Sequence, residues 1–129
     1  STDGEIPQIK GDNRVKFLKG LFTNTAKKLR DEILQRTGKT TFVVYFDSDT
    51  YSSTLFALTQ IGGLRIPYYA LFDEFIGDEY KALYDYMNSF DYSAKPIASA
   101  VRSWDKKLLF IGDKSKSGQR TSMFLLSPN

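Results

Sequence analysis

The chain has 129 residues, of which 41% are hydrophobic and 26% are charged. This length and composition predict one globular domain with a substantial core and exclude a disordered segment. The absence of cysteine and histidine excludes disulfides and thiolate or imidazole metal sites, and it removes the commonest general base. The longest apolar runs are strand-sized, so no membrane span is predicted. We expect a soluble intracellular protein, cytoplasmic or nuclear, that uses no cofactor.

Charge is distributed unevenly along the chain, although the net charge is only +3. The net charge is +4 over residues 1–40, −6 over residues 41–92 and +5 over residues 93–129. A basic stretch is most often a solvated face. Segregation this clear nevertheless favours a polyanionic partner, and a nucleic acid is the simplest one.

The N-terminal part of the chain predicts a flexible arm and then a basic helix. Residues 1–12 are polar and rich in glycine, so we expect the arm there and a single globular domain over residues 13–129. From Asn13 to Ile33 apolar residues recur at helical spacing among lysines and arginines. This pattern predicts an amphipathic helix or helix pair, broken near Thr23. Such a helix would extend a nucleic-acid contact or pair two copies as a homodimer.

The middle of the chain predicts a strand and two helices. Residues 40–46 are β-branched or aromatic, which is typical of a buried strand, and Asp47 and Asp49 end it. Residues 51–61 are predicted to form a short helix. For residues 65–75 the spacing of aromatic residues favours a helix, with a strand over residues 66–72 as the alternative.

The last third of the chain predicts a helix pair and a hairpin. Residues 79–90 have an apolar stripe at helical spacing, and residues 94–105 are predicted to form a second helix with Trp104 facing inward. Residues 106–111 and 121–126 are predicted strands, joined by a polar, basic loop that contains glycine.

This order of helix, short turn, helix, strand, basic loop and strand resembles the winged helix-turn-helix superfamily. Residues 80–87 match the first helix of the pair, residues 93–104 the recognition helix and residues 108–126 the wing hairpin. The resemblance covers about residues 65–127. It implies an α+β fold in which a winged-helix-like part follows a basic helix and a buried strand. It also implies duplex DNA binding, as in a replication or transcription accessory factor.

The candidate nucleic-acid contacts are cations and small hydroxyl residues of the predicted second helix and the loop. They are Lys95, Ser99, Arg102, Ser103, Lys106, Lys114, Lys116 and Arg120. On a helix, Lys95 and Arg102 would lie on the face opposite the apolar residues, within reach of guanine edges or phosphates. The loop cations would contact the phosphate backbone. The ordinary alternative is that these residues form the polar exterior of an amphipathic helix and a hairpin.

Two other functions stay open. One is a protein–protein interaction module with a winged-helix-like fold. The other is a metal-dependent phosphoryl-transfer enzyme, because Asp47 and Asp49 form a D-x-D pair at the end of a predicted buried strand, where α/β enzymes place metal-binding carboxylates. With Asp113 as a third acid, this pattern faintly resembles the haloacid dehalogenase-type phosphatases. That family has a threonine two places after the second aspartate, whereas Thr50 follows at once. We expect binding rather than catalysis, and no catalytic residue is assigned.

Overall fold

The computed structural model describes residues 9–75, 77–101 and 120–129, with only the backbone described at Val101. This part of the chain has a mixed α and β fold with three helices and four strands. The elements in chain order are α1 (Phe22–Arg36), β1 (Val43–Phe46), α2 (Tyr51–Gly62), β2 (Tyr68–Phe72), α3 (Asp78–Phe90), β3 (Tyr92–Val101) and β4 (Arg120–Pro128). None of the described helices is long and apolar enough to cross a membrane.

The four strands form one mixed sheet in the order β1-β2-β4-β3. Strands β1 and β2 are parallel, whereas β4 is antiparallel to both of its neighbours, β2 and β3. A parallel pair needs a crossover connection, and α2 supplies it. In this register Phe46, the last residue of β1, lies beside Phe72, the last residue of β2. The carboxyl ends of the two parallel strands therefore meet at the same end of the sheet.

The helices cover one face of this sheet, which we call the covered face. Its strand residues in the core are Phe46, Tyr68, Ala70, Phe72, Tyr92 and Leu126, and α1, α2 and α3 contribute Ile33, Leu58, Ile61, Ala82, Leu83 and Tyr86. Alternate residues of a strand point to opposite faces. The other face, which we call the open face, carries Val43, Tyr45, Tyr69, Leu71, Met123 and Leu125. Within the described residues no helix covers it, and Val43 and Tyr45 are 60% and 51% exposed.

Helices α2 and α3 approach each other closely at Gly62, the last residue of α2. A Cβ atom at that position would lie 2.5 Å from Cε2 of Tyr86 and 2.9 Å from Cδ1 of Phe90. Tyr86 is fully buried, and its hydroxyl lies 3.3 Å from that of Tyr68 on β2. The glycine is therefore needed because the aromatic side chains of α3 occupy the space that any other side chain would fill.

Several predicted elements are confirmed. The helix predicted over residues 51–61 is α2, and the helix predicted over residues 79–90 is α3. The strands predicted over residues 40–46 and 121–126 correspond to β1 and β4. The expectation that the first of them is buried is wrong, because β1 lies at the edge of the sheet and its Val43 and Tyr45 are exposed. The basic N-terminal helix is α1, but it begins only at Phe22, because the preceding residues are not helical.

The helix predicted over residues 94–105 is wrong in its described part, since those residues belong to β3. Alanine and serine have no strong strand preference, so pairing along the whole of β4 decides the conformation. The register shifts between Pro96 and Ala98, and such an irregularity accommodates a residue without a backbone N–H. The rest of that helix, with Trp104, the strand predicted over residues 106–111 and the loop after it lie outside the described residues.

The helix predicted over residues 65–75 is also wrong, and the alternative strand is correct. The residues of β2 alternate between buried and half-buried, with Tyr68, Ala70 and Phe72 buried. A central position between β1 and β4 suits this apolar run because strands flank it on both sides and one of its faces packs in the core. The aromatic spacing that favoured a helix therefore reflects a two-residue period.

Candidate functional site

Acidic residues follow both parallel strands at the point where each ends. Asp47 comes directly after β1, and Asp73 and Glu74 come directly after β2. The backbone N–H of Asp73 donates to the carbonyl of Phe46 at 3.0 Å, so the two chains are still hydrogen-bonded where these carboxylates leave the sheet. In open α/β sheets, ligands bind in the crevice outside the carboxyl ends of the strands. This end of the sheet is therefore the candidate site.

The segment after β2 is fixed by hydrogen bonds to both neighbouring strands. The hydroxyl of Tyr45, on the open face of β1, donates to Oδ1 of Asp73. The hydroxyl of Thr121, on β4, donates to the Asp73 carbonyl at 3.1 Å, and the N–H of Phe75 donates to the carbonyl of Arg120 at 2.7 Å. These contacts hold the Asp73 carboxylate beside β1.

Glu79, in the first turn of α3, brings a buried carboxyl group to the same place. The residue is 2% exposed, and its Oε2 accepts from the N–H of Glu74 at 3.1 Å. Its Oε1 is buried and has no hydrogen-bond partner among the described residues. Burial raises the pKa of Glu79 to about 7; the Glu74 N–H opposes this rise, while the charges of Asp73, Glu74 and Asp47 add to it. We call Asp47, Asp73, Glu74 and Glu79 the carboxylate cluster.

The turn between β1 and α2 caps the helix and displays its two aspartates to solvent. Oγ1 of Thr50 accepts from the N–H of Ser53 at 3.3 Å, as expected of an N-cap residue. Ser48 turns toward the helix, with its Oγ 2.7 Å from Oγ1 of buried Thr54. Asp49 has a left-handed backbone with φ 58°, a conformation that aspartate tolerates better than most residues. Asp47 and Asp49 are both exposed.

The predicted D-x-D site is only partly built in the described chain. Among the described residues, no three histidine, cysteine, aspartate or glutamate side chains are grouped so that they could hold a metal ion by themselves. The proposed third acid, Asp113, lies outside the described residues. Asp47 is instead joined by the acids that follow β2, which the sequence analysis did not single out.

The predicted nucleic-acid contacts within the described residues lie on different faces of the sheet. Lys95 lies opposite Leu125 on the open face, whereas Ser99 lies opposite Ser122 on the covered face, with the two hydroxyls 3.2 Å apart. Arg120 is two residues from Ser122 and shares its face. Lys95 therefore does not form one row of donors with the other two. The remaining candidates, outside the described residues, are Arg102, Ser103, Lys106, Lys114 and Lys116.

Asp73 and Glu74 were not predicted as site residues because residues 65–75 were assigned to a helix, and Glu79 was not because its burial depends on tertiary packing. A signal was present in the sequence. An apolar run that ends in an acidic residue occurs twice, at Phe46-Asp47 and at Phe72-Asp73. Had both runs been treated as parallel strands, the acids at their carboxyl ends would have been predicted to lie side by side.

Comparison of the chain with protein-family models, with curated proteins and with solved structures found no match. No relative therefore supplies a function or a fold family for this chain. The site has to be interpreted from the chemistry of its own side chains.

Proposed function

We propose that this chain binds a divalent cation together with an oxygen-rich ligand at the carboxyl ends of β1 and β2, as part of an enzyme of metal-assisted group transfer. The observation that carries the proposal is that Asp47 and Asp73 follow two adjacent, hydrogen-bonded parallel strands. A second observation points the same way. The buried Oε1 of Glu79, beside the same acids, accepts no hydrogen bond from the part of the chain that the structure describes, which is costly unless a ligand or a cation-bound water satisfies it.

A cation does not need three protein carboxylates at this site. Mg²⁺ usually keeps several waters and is held by one or two carboxylates together with oxygen atoms of the substrate. Asp47 and Asp73 would be the protein ligands. When bound, the cation would orient the substrate oxygens and lower the pKa of a coordinated hydroxyl or water.

The neighbouring residues support this arrangement without being ligands themselves. Tyr45 donates to Oδ1 of Asp73 and so holds that carboxylate at the end of β1. Glu79 fixes the backbone of Glu74, and with it the loop that carries Asp73. Tyr45 and Glu79 would therefore hold the Asp73 carboxylate in place. The specificity for the transferred group would come from other residues, which contact the substrate.

The test is a titration with Mn²⁺, followed by electron paramagnetic resonance, on the unchanged chain and on Asp47→Asn and Asp73→Asn. Each replacement removes a charged ligand but keeps its shape, so we expect affinity to fall about tenfold or more. Asp31→Asn, on the exposed side of α1, is the matched control and should bind Mn²⁺ like the unchanged chain. Equal affinity of all four proteins would overturn the proposal.

The transferred group is then identified by calorimetry in the presence of Mg²⁺. Phosphoryl transfer is the reaction that the D-x-D pattern suggests, so adenosine triphosphate is the donor to test. Binding of adenosine triphosphate that disappears in Asp47→Asn would support phosphoryl transfer, and no binding would contradict it.

Nucleic-acid binding is a second candidate, favoured by the exposed cations Lys27 and Lys28 on α1 together with the basic character of the chain's two ends. The recognition helix of a winged helix-turn-helix protein is not part of this candidate, because residues 94–101 are a strand. A titration of labelled duplex DNA at two salt concentrations tests it. Salt-dependent binding that weakens in Lys27→Ala/Lys28→Ala would support it, and no binding in low salt would exclude it.

A further inference from the structure

A cavity of about 270 Å³ lies between α1, β1 and α2 and reaches the carboxylate cluster at Asp47. Phe22 and Leu29 of α1, Val44 of β1 and Phe56 of α2 form much of its wall. Its polar lining residues include Asp47 and Gln60. A concave apolar surface with a few polar groups is the usual form of a small-molecule site.

The apolar residues of α1 divide into two sets. Ala26 and Ile33 are buried, whereas Phe22 and Leu29 remain 47% and 43% exposed although they line the cavity. Burial of apolar surface stabilises a complex by about 25 cal/mol for each Å² removed from water. A flat apolar group in the cavity would therefore remove Phe22 and Leu29 from water.

The size and the polar groups of the cavity restrict the occupant. Ligand pockets usually measure about 300–1,000 Å³, so this smaller cavity admits a ring rather than a whole ligand. A glutamine amide offers one donor and one acceptor, which matches the paired acceptor and amino group on the edge of adenine. Asp47 is an acceptor for hydroxyl groups attached to such a ring.

We propose that this cavity binds the heteroaromatic ring of an amino-substituted base, such as the adenine of a nucleoside or nucleotide. The ring would pack against Phe22, Leu29 and Phe56, its amino-bearing edge would face Gln60, and its sugar would point toward Asp47. The inference rests on the proposed function in one respect only: the molecule whose ring enters the cavity is taken to be the molecule whose oxygen atoms bind the cation.

The test is calorimetric titration with adenosine in the presence of EDTA, so that ring binding is measured without any cation. Ribose is the matched ligand without a ring. Ala57→Leu narrows the cavity, since Ala57 lines it, and Gln60→Leu removes the amide while keeping a similar volume. Leu34→Ala is the control, because Leu34 is an exposed apolar residue of α1 outside the cavity lining.

We expect adenosine to bind and ribose not to bind. Affinity should fall about tenfold in Ala57→Leu and in Gln60→Leu, and it should not change in Leu34→Ala. If Ala57→Leu fails to fold, as judged by circular dichroism, Gln60→Leu decides alone. No binding of adenosine at millimolar concentration, or equal binding by unchanged protein and folded variants, would overturn the ring site. Mn²⁺ binding that still depends on Asp47 would then leave the proposed function standing.

Discussion

Alternate residues of the same strands have very different surroundings on the two faces of the sheet. On β1, Phe46 of the covered face is 3% exposed, whereas Tyr45 of the open face is 51% exposed. On β2, Phe72 is fully buried and its neighbour Leu71 is only half-buried. Both faces are apolar in sequence, so composition alone does not distinguish them. The core therefore lies on the covered face, whereas the Tyr45–Asp73 contact of the candidate site lies at the end of the open face.

The comparison predicts a large difference between neighbouring alanine substitutions on β2. Phe72→Ala should lower the free energy of unfolding by about 3–5 kcal/mol, because it leaves a cavity among Phe46, Phe75 and Phe124. Leu71→Ala removes a half-buried side chain from the open face and should cost far less. Urea unfolding measures both. Equal losses would mean that the open face is as well packed as the covered face.

A second prediction concerns Glu79, a buried charged residue behind the site. Its pKa is raised from 4.5 to about 7, so the folded state binds a proton more tightly than the unfolded state. This contribution to stability is complete below pH 4.5 and is lost as the pH rises through 7, by about 3 kcal/mol in total. Glu79→Gln should therefore abolish a decrease in the free energy of unfolding across that range, measured in urea with EDTA.

Glu32→Gln is the control for that measurement. The hydrogen bond and the charge of Lys16 hold the pKa of Glu32 below its ordinary value. The contribution of Glu32 to stability therefore increases with pH, opposite to that of Glu79. Glu32→Gln should keep the decrease in the free energy of unfolding that Glu79 causes. A decrease that persists unchanged in Glu79→Gln would show that the Glu79 carboxyl group is not the source of the pH dependence.

The smallest effect is expected at the contact of the two helices on the covered face. Gly62→Ala should lower the free energy of unfolding by about 1–3 kcal/mol, because its Cβ would overlap the ring of Tyr86. Gly63→Ala is the matched control, since the nearest atom to its Cβ would be the Thr59 carbonyl oxygen at 3.9 Å. Thermal unfolding of the two variants compares them. A neutral Gly62→Ala would indicate that α2 and α3 can separate without loss of stability.

Part of the fold could be predicted from local pattern alone. Helix α3 was predicted from apolar residues at helical spacing and acidic residues in its first turn, which are both local features. Its buried face was not, because Tyr80 and Tyr84 of that apolar stripe are exposed. Strand β2 could not be assigned in the same way, because an apolar run of five residues fits a buried strand or a helix. Its pairing with β1 and β4 removes the ambiguity.

Only part of the candidate site could be predicted from the sequence. Asp47 was identified because an acidic residue at the end of a predicted buried strand is visible in the sequence. Glu79 was not, because its importance comes from burial and from contact with Glu74. Neither property can be predicted without knowing which elements pack together.

Local pattern was sufficient to predict a mixed α and β core and an acidic turn after the first strand, and composition excluded histidine and cysteine chemistry. Tertiary packing made residues 92–101 a strand, because backbone pairing with β4 outweighed the strong helical preference of alanine. It also decided that Asp47 and Asp73 lie at one end of the sheet. That placement follows from the parallel register of β1 and β2, which brings residues far apart in the chain to adjacent strand ends.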